Sequence, residues 1–279
     1  MGAGSDEIIA VDRPIGLFDS GVGGLSVWRA VVQRLPNEST LYLADQVHVP
    51  YGARPRAEIE ALTHKAVAWL LAQNVKLVVI ACNTASAAAL DSLRQRWPKI
   101  PIVGMEPAVK PASARTVTGK VGIMATPGTL QAERFHLLVE RFAGGVDVYT
   151  QICPGLVEMV EAGQLDGQEI DARLHLLLDP LTDRGIDQLV LGCTHYPFLA
   201  PAIQRAVGQE VTLIDPAPAV AKQVQNVLAS RQQLAPPAAV PDHRFTTTAA
   251  ADAFAATIRR LVGVEAPRTT HLATTTAIS

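Results

Sequence analysis

The sequence predicts an α/β fold, arranged as two pseudo-symmetric lobes with mainly parallel sheets and a cleft between them. Three observations carry that expectation. Short runs that are apolar at consecutive positions alternate with longer amphipathic stretches, the pattern of parallel strands buried on both faces and of their helical crossovers. The same order of features occurs twice along the chain. Finally, 279 residues are enough for about two ordinary domains.

In order, the runs Ile15–Phe18, Thr40–Ala44, Leu77–Ala81, Pro101–Val103, Val121–Ala125, Val146–Thr150, Leu189–Gly192 and Val211–Ile214 are predicted strands. Helix-like segments lie between them, over residues 55–73, 84–97, 130–142 and 169–184. Residues 232–243 are rich in Pro and Ala and read as a connector, 250–262 as a final helix, and 268–279 as a Thr-rich, frayed tail. The repeat lies in the residues just after the strands. One half offers Asp19-Ser-Gly and later Cys82-Asn-Thr; the other offers Thr126-Pro-Gly-Thr129 and later Cys193-Thr-His195. Asp19 stands 63 residues before Cys82, and Thr126 stands 67 before Cys193. Sheets of this kind bind ligands beyond the carboxyl ends of their strands, so two units of like construction would bring the two cysteines face to face across a cleft.

Composition excludes several classes. Apolar residues make up 48% of the chain and charged residues 18%, which supplies a packed core and argues against a disordered or fibrous protein. Lys and Arg number 24 against 26 Asp and Glu, a formal charge of −2, so no basic surplus recruits nucleic acid or an acidic membrane. No apolar run reaches the roughly 18 residues of a spanning helix. Residues 1–13 carry Asp6, Glu7 and Asp12 without a hydrophobic stretch, so no secretory signal is expected. Three cysteines with no CxxC grouping, and histidines with no ligand spacing, predict neither a disulfide framework nor a metal site; a reduced, cytoplasmic chain is the expectation.

The cysteines therefore need another explanation. Cys82 and Cys193 each follow an apolar run and precede a helix-like start, where the positive end of the helix dipole favours a thiolate. A free cysteine is often just a small buried hydrophobe, but two in equivalent settings favour function. Cys153, beside Pro154 and without a polar neighbour, reads as structural. Asp19-Ser20-Gly21-Val22-Gly23-Gly24 is a Gly-rich turn that lacks both the P-loop Lys and the dinucleotide spacing, so it suggests polar contacts to a small molecule rather than a phosphate cradle. His195, two residues from Cys193, is placed to handle protons. Glu158 and Glu161, on a short helix, read as a solvated face. Helix starts at Asn83-Thr84 and Thr194-His195 offer N–H groups and hydroxyls to carboxylates. Two opposed thiols of reference pKa about 8.5 suit a 1,1-proton transfer on a small acid, one removing a proton from a carbon and the other supplying one to the opposite face. A cysteine hydrolase using Cys193 and His195 would leave Cys82 idle.

At these residues the chain resembles the glutamate racemases of the cofactor-independent aspartate/glutamate racemase superfamily. Four blocks carry the resemblance: GLFDSGVGGLSV (16–27), VPYG (49–52), VIACNTASA (79–87) and LGCTHYPFL (191–199). It implies that Cys82 and Cys193 are the paired acid/base thiols, assisted by Asp19 and His195, with Glu161 of CPGLVEMVEAG as a second auxiliary acid. It also implies substrate contacts from Asp19, Ser20, Tyr51, Gly52, Asn83, Thr84, Thr129, Thr194 and His195. Further implications are lobes formed by 1–105 with 215–279 and by 106–214, no cofactor or metal, a homodimer, and supply of D-glutamate to peptidoglycan. The alternatives are a racemase of aspartate or another acidic amino acid, and a non-catalytic small-acid sensor. Two departures stand out: Gln46 where the family usually has Thr, expected to alter a loop contact, and Asp215-Pro216-Ala217-Pro218 where many members have Asp-Ser-Gly.

Overall fold

The computed structural model describes residues 11–273. Its strands are β1 (Ile15–Asp19), β2 (Thr40–Ala44), β3 (Leu77–Ile80), β4 (Ile102–Val103), β5 (Lys120–Ala125), β6 (Asp147–Ile152), β7 (Gln188–Gly192), β8 (Thr212–Ile214), β9 (His243–Thr247) and β10 (Arg268–His271). They form two sheets, ordered β10-β9-β2-β1-β3-β4 and β6-β5-β7-β8. Every pairing is parallel. The order second-first-third-fourth recurs in both sheets, which gives the repeat read from the sequence a topological form. β1 corresponds to β5 and β3 to β7. The turn after β1 therefore answers to the turn after β5, and Cys82 to Cys193.

The predicted strands fall where the apolar runs lie. β1, β2, β3 and β7 are buried along their whole length, as strands covered on both faces must be. One cluster of buried side chains joins the two sheets. It runs from Leu17, Leu77 and Val79 through Val22, Leu156 and Val160 to Leu189 and Leu191, so the lobes share apolar packing beneath the cleft. Among the described residues, no helix is long and apolar enough to cross a membrane.

Three expectations need correction. The helix expected over 130–142 is two helices, Pro127–Leu130 and Glu133–Phe142, because Ala132 takes an extended backbone and breaks the run. The connector ends before His243, which opens β9, and β9 pairs with β2. The tail is not frayed at 268–271: it forms β10 on the open side of β9. Threonines suit extended backbone, and the contact between the Thr246 and Thr270 hydroxyls at 3.0 Å satisfies both without apolar burial. Residues 1–10 and 274–279, and the expectations that fall on them, lie outside the described residues.

Candidate active site

The carboxyl ends of both sheets open onto one narrow cavity. The first lobe supplies Ser20 after β1, Cys82, Asn83 and Thr84 after β3, and a wall of Pro50, Tyr51 and Gly52. Across from them stand Thr126 after β5, Val157, and Cys193, Thr194 and His195 after β7. Equivalent strands thus deliver equivalent residues: a hydroxyl after each central strand and a thiol after each third strand. The lining holds no lysine or arginine among the described residues, so apart from His195 the groups that can meet a carboxylate here are neutral donors. Asn83 fits that need. It is buried, faces the cavity, and neither of its side-chain polar atoms has a partner. Burying an amide unpaired is costly, which argues that a ligand completes it.

Cys82 caps the helix Asn83–Arg96, its Sγ accepting the Ala85 N–H at 3.4 Å and lying 3.8 Å from Ser20 Oγ. The helix start was expected to favour the thiolate. Instead burial, reinforced by the Asp19 carboxylate, pushes the thiol well above its ordinary value, and the Ala85 N–H offsets only part of that. Desolvation outweighs one turn of dipole. Across the cavity the architecture differs, for Cys193 does not open an α-helix directly. A 3₁₀ turn, Tyr196–Leu199, intervenes before the helix Ala200–Val207.

His195 Nδ1 lies 3.6 Å from Cys193 Sγ, and Nε2 lies 2.7 Å from Glu161 Oε1. Burial works against a charged imidazole, but the hydrogen bonds to Cys193 and Glu161 win and raise His195 well above its ordinary range. Burial likewise disfavours the Glu161 carboxylate, yet the bonds from His195, the Val22 N–H at 2.8 Å and Gln46 at 3.2 Å hold its pKa below the usual value. The result is a buried ion pair behind Cys193. Asp19 stands below the lining, fully buried. Its Oδ1 accepts the Gly21 N–H at 2.7 Å, and its Oδ2 accepts the Thr194 hydroxyl from the other lobe at 3.1 Å. Thr129 is also one layer back, within a hydroxyl triangle with Thr84 and Thr126.

Burial raises Asp19 from 3.8 to about 6, against the opposing pull of His195. A carboxyl raised on folding favours the fold in its neutral form. That contribution is complete below pH 4 and disappears as pH rises through about 6, for a swing of about 3 kcal/mol. Asp19→Asn keeps the shape without the charge. Its melting temperature should exceed that of the unaltered protein at pH 8 and match it at pH 4. Equal differences at both pH values would contradict the assignment.

The Gly-rich turn has a reason other than phosphate binding. A Cβ on Gly21 would overlap Glu161 Oε1, and one on Gly23 would overlap His195 Nδ1 and stand 2.5 Å from Thr194 Oγ1. The bare backbone lets the second lobe's proton-handling groups lie directly against the first lobe. Gly23→Ala should therefore displace His195 and lower kcat/KM by roughly 10²-fold with the fold retained, since a misplacement of about 1 Å costs that much. Steady-state rates measured beside circular dichroism will check it; an unimpaired, folded variant would mean that this contact is not needed.

Of the residues singled out in the sequence, Ser20, Tyr51, Gly52, Cys82, Asn83, Thr84, Cys193, Thr194 and His195 line the cavity, whereas Asp19, Glu161 and Thr129 support it from behind. Pro50, Thr126 and Val157 were not anticipated as lining, although Thr126 opens a turn that the repeat had marked. Cys153 is buried, and burial together with Cys193 pushes it up to about 12, in keeping with a structural thiol.

Residues 15–224 match the family described as Asp/Glu/hydantoin racemase. The chain belongs to this family. Among relatives of this racemase, the glutamate racemase of Roseiflexus sp. (strain RS-1) is 52% identical over 219 residues, 78% of this chain and 80% of its own. Among solved racemase structures, a glutamate racemase isoform from Bacillus anthracis superposes with a TM-score of 0.86 at 34% identity, covering 93% of this chain and 97% of its own. The glutamate racemase of Francisella tularensis in complex with D-glutamate gives 0.83 at 31% identity, covering 94% and 98%.

Proposed function

We propose that this racemase interconverts L- and D-glutamate by a two-thiol 1,1-proton transfer that uses no cofactor. The observation that carries the reading is that Cys82 and Cys193, from equivalent strands of two like sheets, line one cavity. One cysteine, as thiolate, takes the α-proton and becomes a thiol, and the electron pair left on carbon delocalises into the α-carboxylate. The other cysteine, as thiol, gives its proton to the opposite face and becomes the thiolate. Atoms and charge balance with no net redox change. Burial favours the neutral, proton-donating form of Cys82. His195 is within reach of the Cys193 sulfur, and Glu161 orients it. Asn83, the Ser20, Thr84 and Thr126 hydroxyls and nearby N–H groups stabilise the carboxylates.

Residues 1–105 with 215–279 and residues 106–214 are the two lobes in this reading, and the cavity is their cleft. Glutamate rather than aspartate is supported by the relatives' names. A cytoplasmic homodimer supplying D-glutamate to the cell wall belongs to the same proposal. Proton NMR of L-glutamate in D₂O with circular dichroism of the same sample tests it, with L-aspartate in parallel and no cofactor added. The α-proton signal and the optical activity should both vanish with glutamate. Faster loss with aspartate would move the assignment to that substrate, and no exchange with either acid would favour a sensor.

A further inference from the structure

Gln46 is neither a lining residue nor an acid or base, and it sits on a short 3₁₀ turn between β2 and the wall at Pro50–Gly52. Its side chain joins two distant parts of the molecule. Gln46 Oε1 accepts the Thr247 hydroxyl from the end of β9 at 2.7 Å, and Gln46 Nε2 donates to Glu161 Oε2 at 3.2 Å. The direction of the amide is fixed by the Glu161 carboxylate, which excludes an oxygen facing it and so leaves Gln46 Oε1 to accept the Thr247 proton. Thr247 Oγ1 also accepts the Ala249 N–H at 3.0 Å. Glu161 Oε1 is taken up by His195 and the Val22 N–H. Gln46 is the side-chain partner of the remaining oxygen. A chain of contacts thus runs Thr247–Gln46–Glu161–His195–Cys193, from the last-formed part of the first sheet to one of the two thiols.

We infer that Gln46 is a positioning residue for the Cys193 half of the reaction, anchored by Thr247 and acting through Glu161 on His195. The inference rests on the roles proposed for Glu161 and His195. Cys82 is backed differently: its hydrogen-bond neighbours are Ser20 Oγ and the Ala85 N–H, and the Asp19 carboxylate acts on it through space. The two half-reactions are therefore supported by different hardware, and a change at Gln46 falls on one of them.

The titratable groups around His195 are Cys193, Glu161 and, through space, Asp19. Removing the Gln46 donor leaves the Glu161 carboxylate more basic and free to turn, so the imidazolium is held more tightly to its proton but is aimed less well at Cys193. His195 then loses its proton at a higher pH, and the alkaline limb of kcat/KM moves away from neutrality. Gln46→Met, close in shape and without polar atoms, should lower kcat/KM about 5- to 30-fold with KM little changed, and should shift that limb by about half a pH unit or more. Gln46→Glu places a second carboxylate against Glu161. It should lose more above pH 7 and recover as pH falls. Thr247→Val, which touches neither Glu161 nor His195, should show a smaller loss in the same direction. The α-deuterium isotope effects measured from the two enantiomers should move apart in Gln46→Met, because one proton transfer slows and the other does not.

Adding Gln46→Met to Glu161→Gln should cost no more than Glu161→Gln alone. If Glu161→Gln by itself leaves the rate intact, the reading of Glu161 fails. If Glu161→Gln is impaired but folded Gln46→Met and Thr247→Val keep the original pH profile and isotope effects, the inference about Gln46 fails and the site reading survives.

Discussion

Cys82→Ser should lower racemisation roughly 10²- to 10⁴-fold, the usual worth of one positioned acid or base, because a serine hydroxyl ionises far above any working pH. Cys193→Ser should cost about as much. The sharper result lies in how the two losses differ. Enantiomers have equal free energy, so kcat/KM must fall by the same factor in both directions whichever thiol is removed. Steady-state rates cannot reveal which side was lost, but exchange can. A cysteine left alone can still take the α-proton from the enantiomer that presents it and return a deuteron to the same face. In D₂O, Cys82→Ser should wash deuterium into one enantiomer without inverting it, and Cys193→Ser should do so with the other. If both variants exchange the same enantiomer, or racemise at the normal rate, two opposed thiols are not the mechanism.

The second large effect concerns stability at the far ends of the strands. Lys76 precedes β3, Glu38 precedes β2, and both side chains are almost wholly buried. Lys76 Nζ lies 2.6 Å from Glu38 Oε2 and donates to the Val11 and Gln233 carbonyls at 2.7 and 2.8 Å, while Glu38 Oε1 accepts the Ala235 N–H at 2.7 Å. The pair fastens the segment before β1 and the connector after the helix Ala217–Ser230 to the amino-terminal end of the first sheet. Lys76→Met leaves a carboxylate buried without a cation, at a cost of about 3–5 kcal/mol. Urea unfolding should show that loss, with kcat of the folded fraction unchanged because the pair stands at the opposite end of the sheet from the cavity. Combining it with Glu38→Leu removes the stranded charge and should recover part of the stability. A double variant weaker than Lys76→Met would mean that the hydrogen bonds of Glu38 matter more than its charge.

These two cases also mark what a sequence shows and what it hides. The apolar runs revealed eight strands, most plainly β1, β2, β3 and β7, which are buried along their whole length. β9 escaped because His243-Arg244-Phe245-Thr246-Thr247 has one large apolar residue and settles its buried hydroxyls by hydrogen bonding, which leaves no hydropathy signal. The thiols were legible from their place after strands and from their pairing. Glu161 was not, since its periodicity is that of an ordinary exposed helix face, and only the resemblance to a family marked it. Its burial comes from the turn Gly21–Gly24 of the other lobe, 139 residues away at Val22. Gln46 was visible only as a departure from a familiar pattern, and its contacts at positions 161 and 247 belong to the folded chain alone.

The pairing of Thr40 with His243 spans 203 residues, and it dictates the order in which the molecule can be assembled. During synthesis β1–β4 leave the ribosome well before β9 exists, and β2 waits as an open edge whose N–H and C=O groups can recruit any extended strand nearby. The four strands of the second sheet, contiguous from 120 to 214, need not wait. The β2 edge is therefore the last part of the core sheets to be covered. A nascent or clipped polypeptide ending before residue 243 would hold both cysteines and still present an adhesive border, so aggregation rather than slow turnover would be its first symptom.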